Sequence, residues 1–230
     1  MTLAGAPSAP LSAVSTPRSV AAVVLVPVAT IVVVLALSIL PLLTSLVMHP
    51  LLTAARAHDW LGVAPGVAHA LSDATVSDLV LGGAFAITGP DGRPLYGPDE
   101  LAHLRDARIL LWLLLGAGAV AAAGLVMRLA GGVDRAGTWR GIARGGAIAA
   151  LGTVAIGIVG FVAFEPLFEL FHRVFFPGGN WAFDPTTQRL VQLYPYAFWE
   201  LISTALGVGV VILGVVAWFL GRRRSRTVAA

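Results

Sequence analysis

The stretch from Gly145 to Phe176, GGAIAALGTVAIGIVGFVAFEPLFELFHRVFF, decides how this chain folds. Its opening run, Gly145–Phe164, contains no Asp, Glu, Lys, Arg or His. An α-helix needs about 20 apolar residues to cross a hydrocarbon core of ~30 Å, so this run is long enough to span. The pattern predicts that the apolar helix continues without a break into two carboxylates and a histidine. Glu165, Glu169 and His172 follow at i, i+4 and i+7 and share one helical face. Phe161, Phe164, Phe168, Phe171 and Phe175 form a stripe on another. Ionisable groups are costly at the rim of a bilayer, so their presence there points to a site.

Three further runs share this character. Ser19–Met48, Ile109–Met127 and Leu201–Gly221 are free of ionisable residues. With 57% hydrophobic and 12% charged residues, the chain is not a soluble domain. The expected fold is an all-α membrane protein with four transmembrane helices, at about 19–48, 108–128, 145–171 and 199–221. A transmembrane β-barrel is excluded, because its strands are shorter and alternate in polarity. Pro27 and Pro41 fall inside the first span and are expected to kink it.

The chain has no cysteine and no lysine; its 15 basic residues are all arginine. Disulfides, thiolate nucleophiles, cysteine zinc ligands and Schiff-base chemistry are excluded together. The basic balance does not indicate nucleic acid. Arg18, Arg128, Arg135, Arg140, Arg144, Arg222, Arg223, Arg224 and Arg226 fall on one side of a four-span layout, with Asp134 as that side's one acid. The positive-inside rule therefore predicts both termini in the cytoplasm. The two larger loops, 49–107 and 172–198, are then extracytoplasmic. All five histidines (His49, His58, His69, His103 and His172) lie on that outer side or at its rim. Residues 1–18 read as a disordered cytoplasmic tail leading into an uncleaved anchor. Residues 222–230 read as a basic cytoplasmic tail.

The first outer loop is long enough to form a small cap. Trp60 suits an interfacial position. Gly66–Val80 reads as a short helix. AFAITGPDGRPLY, residues 84–96, reads as a small β-hairpin with turn chemistry at Pro90, Asp91 and Gly92. Pro98, Asp99 and Glu100 after Gly97 have the character of a helix start and open the second span. Gly116, Gly118 and Gly124, with Gly152, Gly157 and Gly160, are expected to let helices pack closely.

Two histidines carry candidate chemistry. His103 lies three residues after Glu100 and three before Asp106, all on one helical face. His172 ends the third span beside Glu169 and Glu165. The two come from different helices at one membrane depth, where a four-helix packing brings them together. His103 sits near a helix N-terminus, which disfavours imidazolium; His172 sits near a C-terminus, which favours it. Neighbouring carboxylates are expected to raise both pKa values. The pair suits a base and an acid or electrostatic partner. The two histidines with Glu100, Asp106, Glu165 or Glu169 also resemble the parts of a zinc site, but no His-Glu-x-x-His pair exists, and the expectation is no metal. His49, His58 and His69 read as solvated or interfacial. Asn180 and Asp184 read as loop-shaping, and Trp181 and Phe183 as headgroup-level aromatics. A serine hydrolase lacks its Gly-x-Ser-x-Gly motif.

Four ordered fragments carry a resemblance. These are His-Leu-x-Asp (His103 to Asp106), Phe-His-x-x-Phe-Phe (Phe171 to Phe176), Asn-Trp-x-Phe-Asp-Pro (Asn180 to Pro185) and Pro-x-x-Phe-Trp (Pro195 to Trp199). Together with the four-span layout they resemble the lipoprotein intramolecular transacylase family, Lit, over roughly residues 20–220. The resemblance implies a cofactor-independent enzyme of the bacterial cytoplasmic membrane with an extracytoplasmic site. It implies transfer of the sn-2 acyl chain of a lipoprotein's diacylglyceryl-cysteine to the cysteine α-amino group, giving the lyso-form. The implied partners are the lipidated N-terminus and membrane lipid. The family's two catalytic histidines fall on His103 and His172. Glu100, Asp106, Glu169 and Arg173 are candidates for orienting them, and Phe171, Phe175 and Trp181 for contacting substrate. Two readings stand beside this one: a non-enzymatic envelope protein that binds lipid or a partner protein, and a metal-dependent membrane hydrolase.

Overall fold

A computed structural model describes residues 21–229, so the expected tail at 1–18 lies outside the described residues. Among the described residues the regular elements are all helical. Helix α1 (Val26–Ile39) follows a single wide turn at Ala21–Leu25. Pro27, in the first turn of α1, has no N–H to donate back along the helix, which accounts for the wide turn before it. A tight turn at Leu40–Leu43, begun around Pro41, ends the first span. Thr44 is extended there (φ −104°, ψ 147°), and its hydroxyl donates to the Pro41 carbonyl at 2.7 Å. The span therefore closes at Leu43, and Ser45–Ala54 is a separate helix, α2.

Three elements then build the cap: α3 (Ala57–Leu61), α4 (Pro65–Leu81) and a loop to Gly97. The helix expected at Gly66–Val80 is α4. The hairpin expected at 84–96 is reduced to one antiparallel bridge, Thr88 with Pro94, flanked by the Leu95 N–H bond to the Ile87 carbonyl at 2.8 Å. No strand forms among the described residues. Pro94 cannot donate to a ladder, and Phe85 takes a left-handed conformation (φ 57°), so the pairing cannot extend.

The remaining spans are α5 (Pro98–Ala130), α6 (Arg135–Val162) and α9 (Tyr196–Ala229). With Val23–Leu43 they make four helices long and apolar enough to cross a membrane, and the chain is a multi-pass membrane protein. At 1.5 Å per residue, α5 and α9 each extend about 50 Å, well beyond a ~30 Å hydrocarbon core. Helix α9 continues through the arginine-rich end, which is helical to Ala229.

The third span does not run on unbroken as its sequence suggests. Ala163 (φ −144°, ψ 47°) interrupts it, and α7 (Phe164–Phe175) starts afresh. Pro166 supplies the reason: its ring clashes with the carbonyl four residues back, at Val162, where α6 ends. The short α8 (Arg189–Leu193) precedes α9.

Helix α1 is the central element of the bundle, touching α5, α6 and α9, while α6 and α9 pack along much of their length. Small residues set these contacts. A Cβ on Gly118 of α5 would collide with Ala36 of α1. On α6, Gly145 lies against Pro27 and Thr30, and Gly146 against Gly214 and Trp218 of α9. Of the six glycines expected to mediate packing, Gly118 does so. Gly116, Gly124, Gly152 and Gly157 face open space among the described residues, and Gly160 meets only Leu167 of the following helix.

The largest apolar cluster lies in the cap, above the spans. Met48, Leu52, Leu71, Phe85, Leu104, Leu193 and Phe198 belong to it, joining α2 and α4 to the first turns of α5 and α9. Ser72 and Tyr194 share a buried hydrogen bond of 3.1 Å, and Thr75 and Tyr96 one of 2.6 Å. Arg108 adds a polar clasp, donating to the Gly83 carbonyl while its guanidinium lies 4.4 Å over the Phe85 ring. The beginning of α5 is thus held rigidly in the cap.

Candidate active site

His103 projects from the second turn of α5, among the residues gathered by that cap. Its turn is fixed by Glu100, which is 3% exposed. Oε2 of Glu100 accepts the N–H of Gly97 at 2.6 Å, a one-way cap on the start of α5, and Oε1 accepts the N–H of Leu190 at 2.6 Å. Glu100 therefore positions α5 against α8, with both oxygens committed to backbone.

His172 comes from the other side, in the last turns of α7. It is buried, and its Nδ1 donates to the Phe168 carbonyl at 2.7 Å. That bond fixes the neutral tautomer with an available lone pair on Nε2. The two imidazoles stack with centroids 5.9 Å apart and planes 24° from parallel. The juxtaposition expected from sequence is present, within one apolar box. Phe176 touches both rings, at 4.5 Å from His103 and 5.5 Å from His172. Phe168 lies 4.1 Å and Trp181 5.1 Å from His172, and Phe183 stands edge-on to His103 at 5.5 Å.

The expected electrostatics of His172 require correction. Burial, the larger influence, lowers its pKa from the ordinary value, and the bond to Phe168 offsets this only in part. The carboxylates expected to raise it point elsewhere. Glu169 pairs with Arg173 at 2.7 Å on the exposed side of α7, and Glu165 is exposed at that helix's first turn. Asp106 accepts from Nδ2 of Asn180 at 3.0 Å, tying the loop after α7 to α5.

Phe171 and Phe175 are 44% and 50% exposed and lie 4.9 Å apart, with Phe171 edge-on to His172 at 5.3 Å. They form an open apolar strip beside the buried imidazole. Trp181 is half-buried over His172 itself. Sequence reading missed Phe168 and Phe176 as site residues, although Phe176 closes the Phe-His-x-x-Phe-Phe fragment and Phe168 stands one turn before His172.

Two of the histidines read as solvated or interfacial, His49 and His69, have side-chain partners in the cap. His49 on α2 bonds Asp73 on α4 at 2.9 Å, and Thr53 on α2 bonds His69 on α4 at 2.9 Å. The His49 and His69 rings stack at 4.3 Å. Both pairs arise from i, i+4 spacing on two facing helices, a signal present in the sequence only once those helices are known to pair. Each Nε2 is committed to its own partner, so these nitrogens do not converge. Among the described residues, no three His, Asp or Glu side chains are placed to hold a metal ion.

Fold and site define a membrane-integral protein with a capped, two-histidine centre, one histidine on the spanning helix α5 and the other on the separate helix α7. The sequence model of the family described as lipoprotein intramolecular transacylase Lit matches residues 92–199, a segment holding both histidines. The resemblance to that family therefore stands on this segment. The fold also matches the in meso structure of the membrane integral lipoprotein intramolecular transacylase Lit from Bacillus cereus. The TM-score is 0.75 at 16% identity, covering 90% of this chain and 95% of that one. Two mutant structures of the same Bacillus cereus protein, with one histidine replaced by arginine or by alanine, match with TM-scores of 0.69 and 0.68. They are each 15% identical to this chain, covering 90% of it and 91% and 93% of their own chains. No curated protein sequence matches the chain.

Proposed function

We propose that this chain is a lipoprotein intramolecular transacylase. It takes the sn-2 acyl chain of a diacylglyceryl-cysteine and moves it to the α-amino group of the same cysteine, leaving a lyso-form lipoprotein. The observation that carries this reading is the stacking of His103 on His172 at 5.9 Å, from two separate helices, inside an apolar box. The family match over 92–199 supports the choice of substrate.

The chemistry needs no cofactor. The amine nitrogen attacks the ester carbonyl carbon, a C–N bond forms, and the C–O bond to the glyceryl oxygen breaks. The proton leaving nitrogen ends on that oxygen as the sn-2 hydroxyl. His172 is suited to be the base, because its Nδ1 is held by Phe168 and its Nε2 keeps a lone pair. His103 supplies an N–H to the oxyanion of the tetrahedral intermediate or to the leaving oxygen. Nucleophile and ester belong to one molecule, so holding that molecule in reactive geometry removes much of the barrier. Phe171, Phe175 and Trp181 offer the acyl chains an apolar path to the imidazoles. Glu100 and Asp106 position the helices and the loop, while Glu169 and Arg173 brace the exposed face of α7.

The arginine-rich ends of the spans belong in the cytoplasm and the cap outside, in the bacterial cytoplasmic membrane, on the charge distribution described above. Mass spectrometry of lipoprotein N-termini from cells with and without this protein tests the reading. N-acylated lyso-forms that depend on the protein are expected; identical N-termini in both cells would refute it.

A further inference from the structure

Asn180 stands out because one half of its amide is hydrogen-bonded and the other is not. Nδ2 donates to Asp106 Oδ2 at 3.0 Å, whereas Oδ1 is buried and has no hydrogen-bond partner among the described residues. The carboxylate fixes the orientation: a flipped amide would set two oxygens against each other. A buried acceptor left unsatisfied is costly and calls for an explanation. Oδ1 can only accept, so what it lacks is a donor.

The surroundings say which donor. Asp106, the anchor of the amide, follows His103 by one turn of α5, and Trp181, the next residue, lies against His172. Asn180, Trp181 and Phe183 also line a cavity of about 260 Å3, so the cavity and the histidine pair share walls. Among the described residues, Asp99 is the one charged side chain lining that cavity. An acid and a buried acceptor with no opposing cation favour an amine. Within the reacting head of a diacylglyceryl-cysteine, the esters and the thioether accept hydrogen bonds, and the α-amine is the group that donates.

We infer that Asn180 Oδ1 is the acceptor that binds the N–H of the substrate's α-amino group and holds it beside the histidine pair. This rests on the transacylase reading. Asp99 draws the amine, which arrives partly as ammonium, into the cavity.

The test uses the full chain in detergent and two dialkylglyceryl-cysteine peptides, whose ether links cannot transfer a chain. One carries a free α-amine and the other its N,N,N-trimethylammonium form, which keeps the charge and has no N–H in any protonation state. The wild type is expected to bind the free amine about tenfold more tightly, the worth of one buried hydrogen bond. Asn180→Ala is expected to bind both peptides alike. The exchange Asp106→Asn with Asn180→Asp keeps both the tether and an acceptor, and is expected to retain the preference; this variant carries the test if Asn180→Ala does not fold. An undiminished preference in Asn180→Ala, equal weakening of both peptides, or loss of the preference in the exchange would each overturn the assignment. Turnover of the diester lipopeptide by the wild type is measured alongside. Absence of turnover counts against the transacylase reading, whereas turnover with an unchanged preference in Asn180→Ala counts against Asn180 alone.

Discussion

Glu100 and Leu190 are joined by a 2.6 Å bond from the Leu190 backbone N–H to Oε1, which locks the start of α8 onto the start of α5. The other oxygen caps α5 itself at Gly97. One buried carboxylate thus fixes the helix bearing His103 relative to the segment that leads into α9. Glu100→Ala leaves two backbone donors without their charged acceptor. A loss of about 2–4 kcal/mol is expected from removing such bonds. Thermal unfolding in detergent should show a clear fall in Tm, and an unchanged Tm would contradict this role.

The acid limb of activity should reflect His172. Burial lowers its pKa, so the folded protein keeps it neutral below the ordinary imidazole value of about 6.5. A base must be neutral to act, so the acid limb of kcat/KM should have its midpoint below that value. The same shift links to stability. Its contribution is fully present above about pH 6.5 and is lost as pH falls through the folded pKa, because the unfolded chain takes up the proton first. A pH series of rates and of Tm, compared with His172→Ala for the Tm part, checks both. A midpoint above the ordinary value would contradict the neutral base.

Phe171 and Phe175 are exposed beside a buried histidine, a position that suits an acyl chain. Replacing both by serine should raise KM for long-chain lipopeptides more than for short-chain ones, while changing Tm little. Each buried CH2 is worth about 0.8 kcal/mol, so the gap between substrates should widen with chain length. A chain-length series of lipopeptides reads this directly.

Close helix contact makes Gly146 intolerant of a side chain. A Cβ there would sit 2.7 Å from the Trp218 backbone nitrogen and 2.9 Å from the Ala217 Cβ on α9. Gly146→Val should destabilise by about 1–3 kcal/mol or more through overpacking. Gly157→Ala meets nothing within 4 Å and should be close to neutral or slightly stabilising. Tm values of the two variants test the contrast.

The four spans were legible because long runs free of ionisable residues are at home in hydrocarbon and in little else. The start of α5 was legible for a similar reason: Pro98 and two acids after Gly97 are local chemistry. The breaks at Thr44 and Ala163 were harder. Pro41 has the sequence character of a kink although it ends a span, and Pro166 is inconspicuous inside an amphipathic segment. Glycines face each other only when helix rotations are fixed, so Gly146 and Gly214 carried no visible mark while Gly116 and Gly157 suggested contacts that do not form among the described residues. The two histidines could be placed at one end of the bundle from helix polarity alone. Their shared wall of Phe176, and the anchoring of Asn180 by Asp106, depend on the path of the loop after α7. The His49–Asp73 and Thr53–His69 pairs likewise needed the meeting of α2 and α4.

The central claim is that His103 and His172 act together on one lipidated amine. The direct measurement uses a diacylglyceryl-cysteine peptide isotopically labelled in its sn-2 acyl chain, with the protein in detergent and mass spectrometry of the product. Wild-type protein should deliver the label to the α-amine. His103→Ala and His172→Ala should each remain folded and slow transfer by at least about 100-fold, the scale of a lost acid–base group. Label transfer at the wild-type rate in either folded variant would contradict the account.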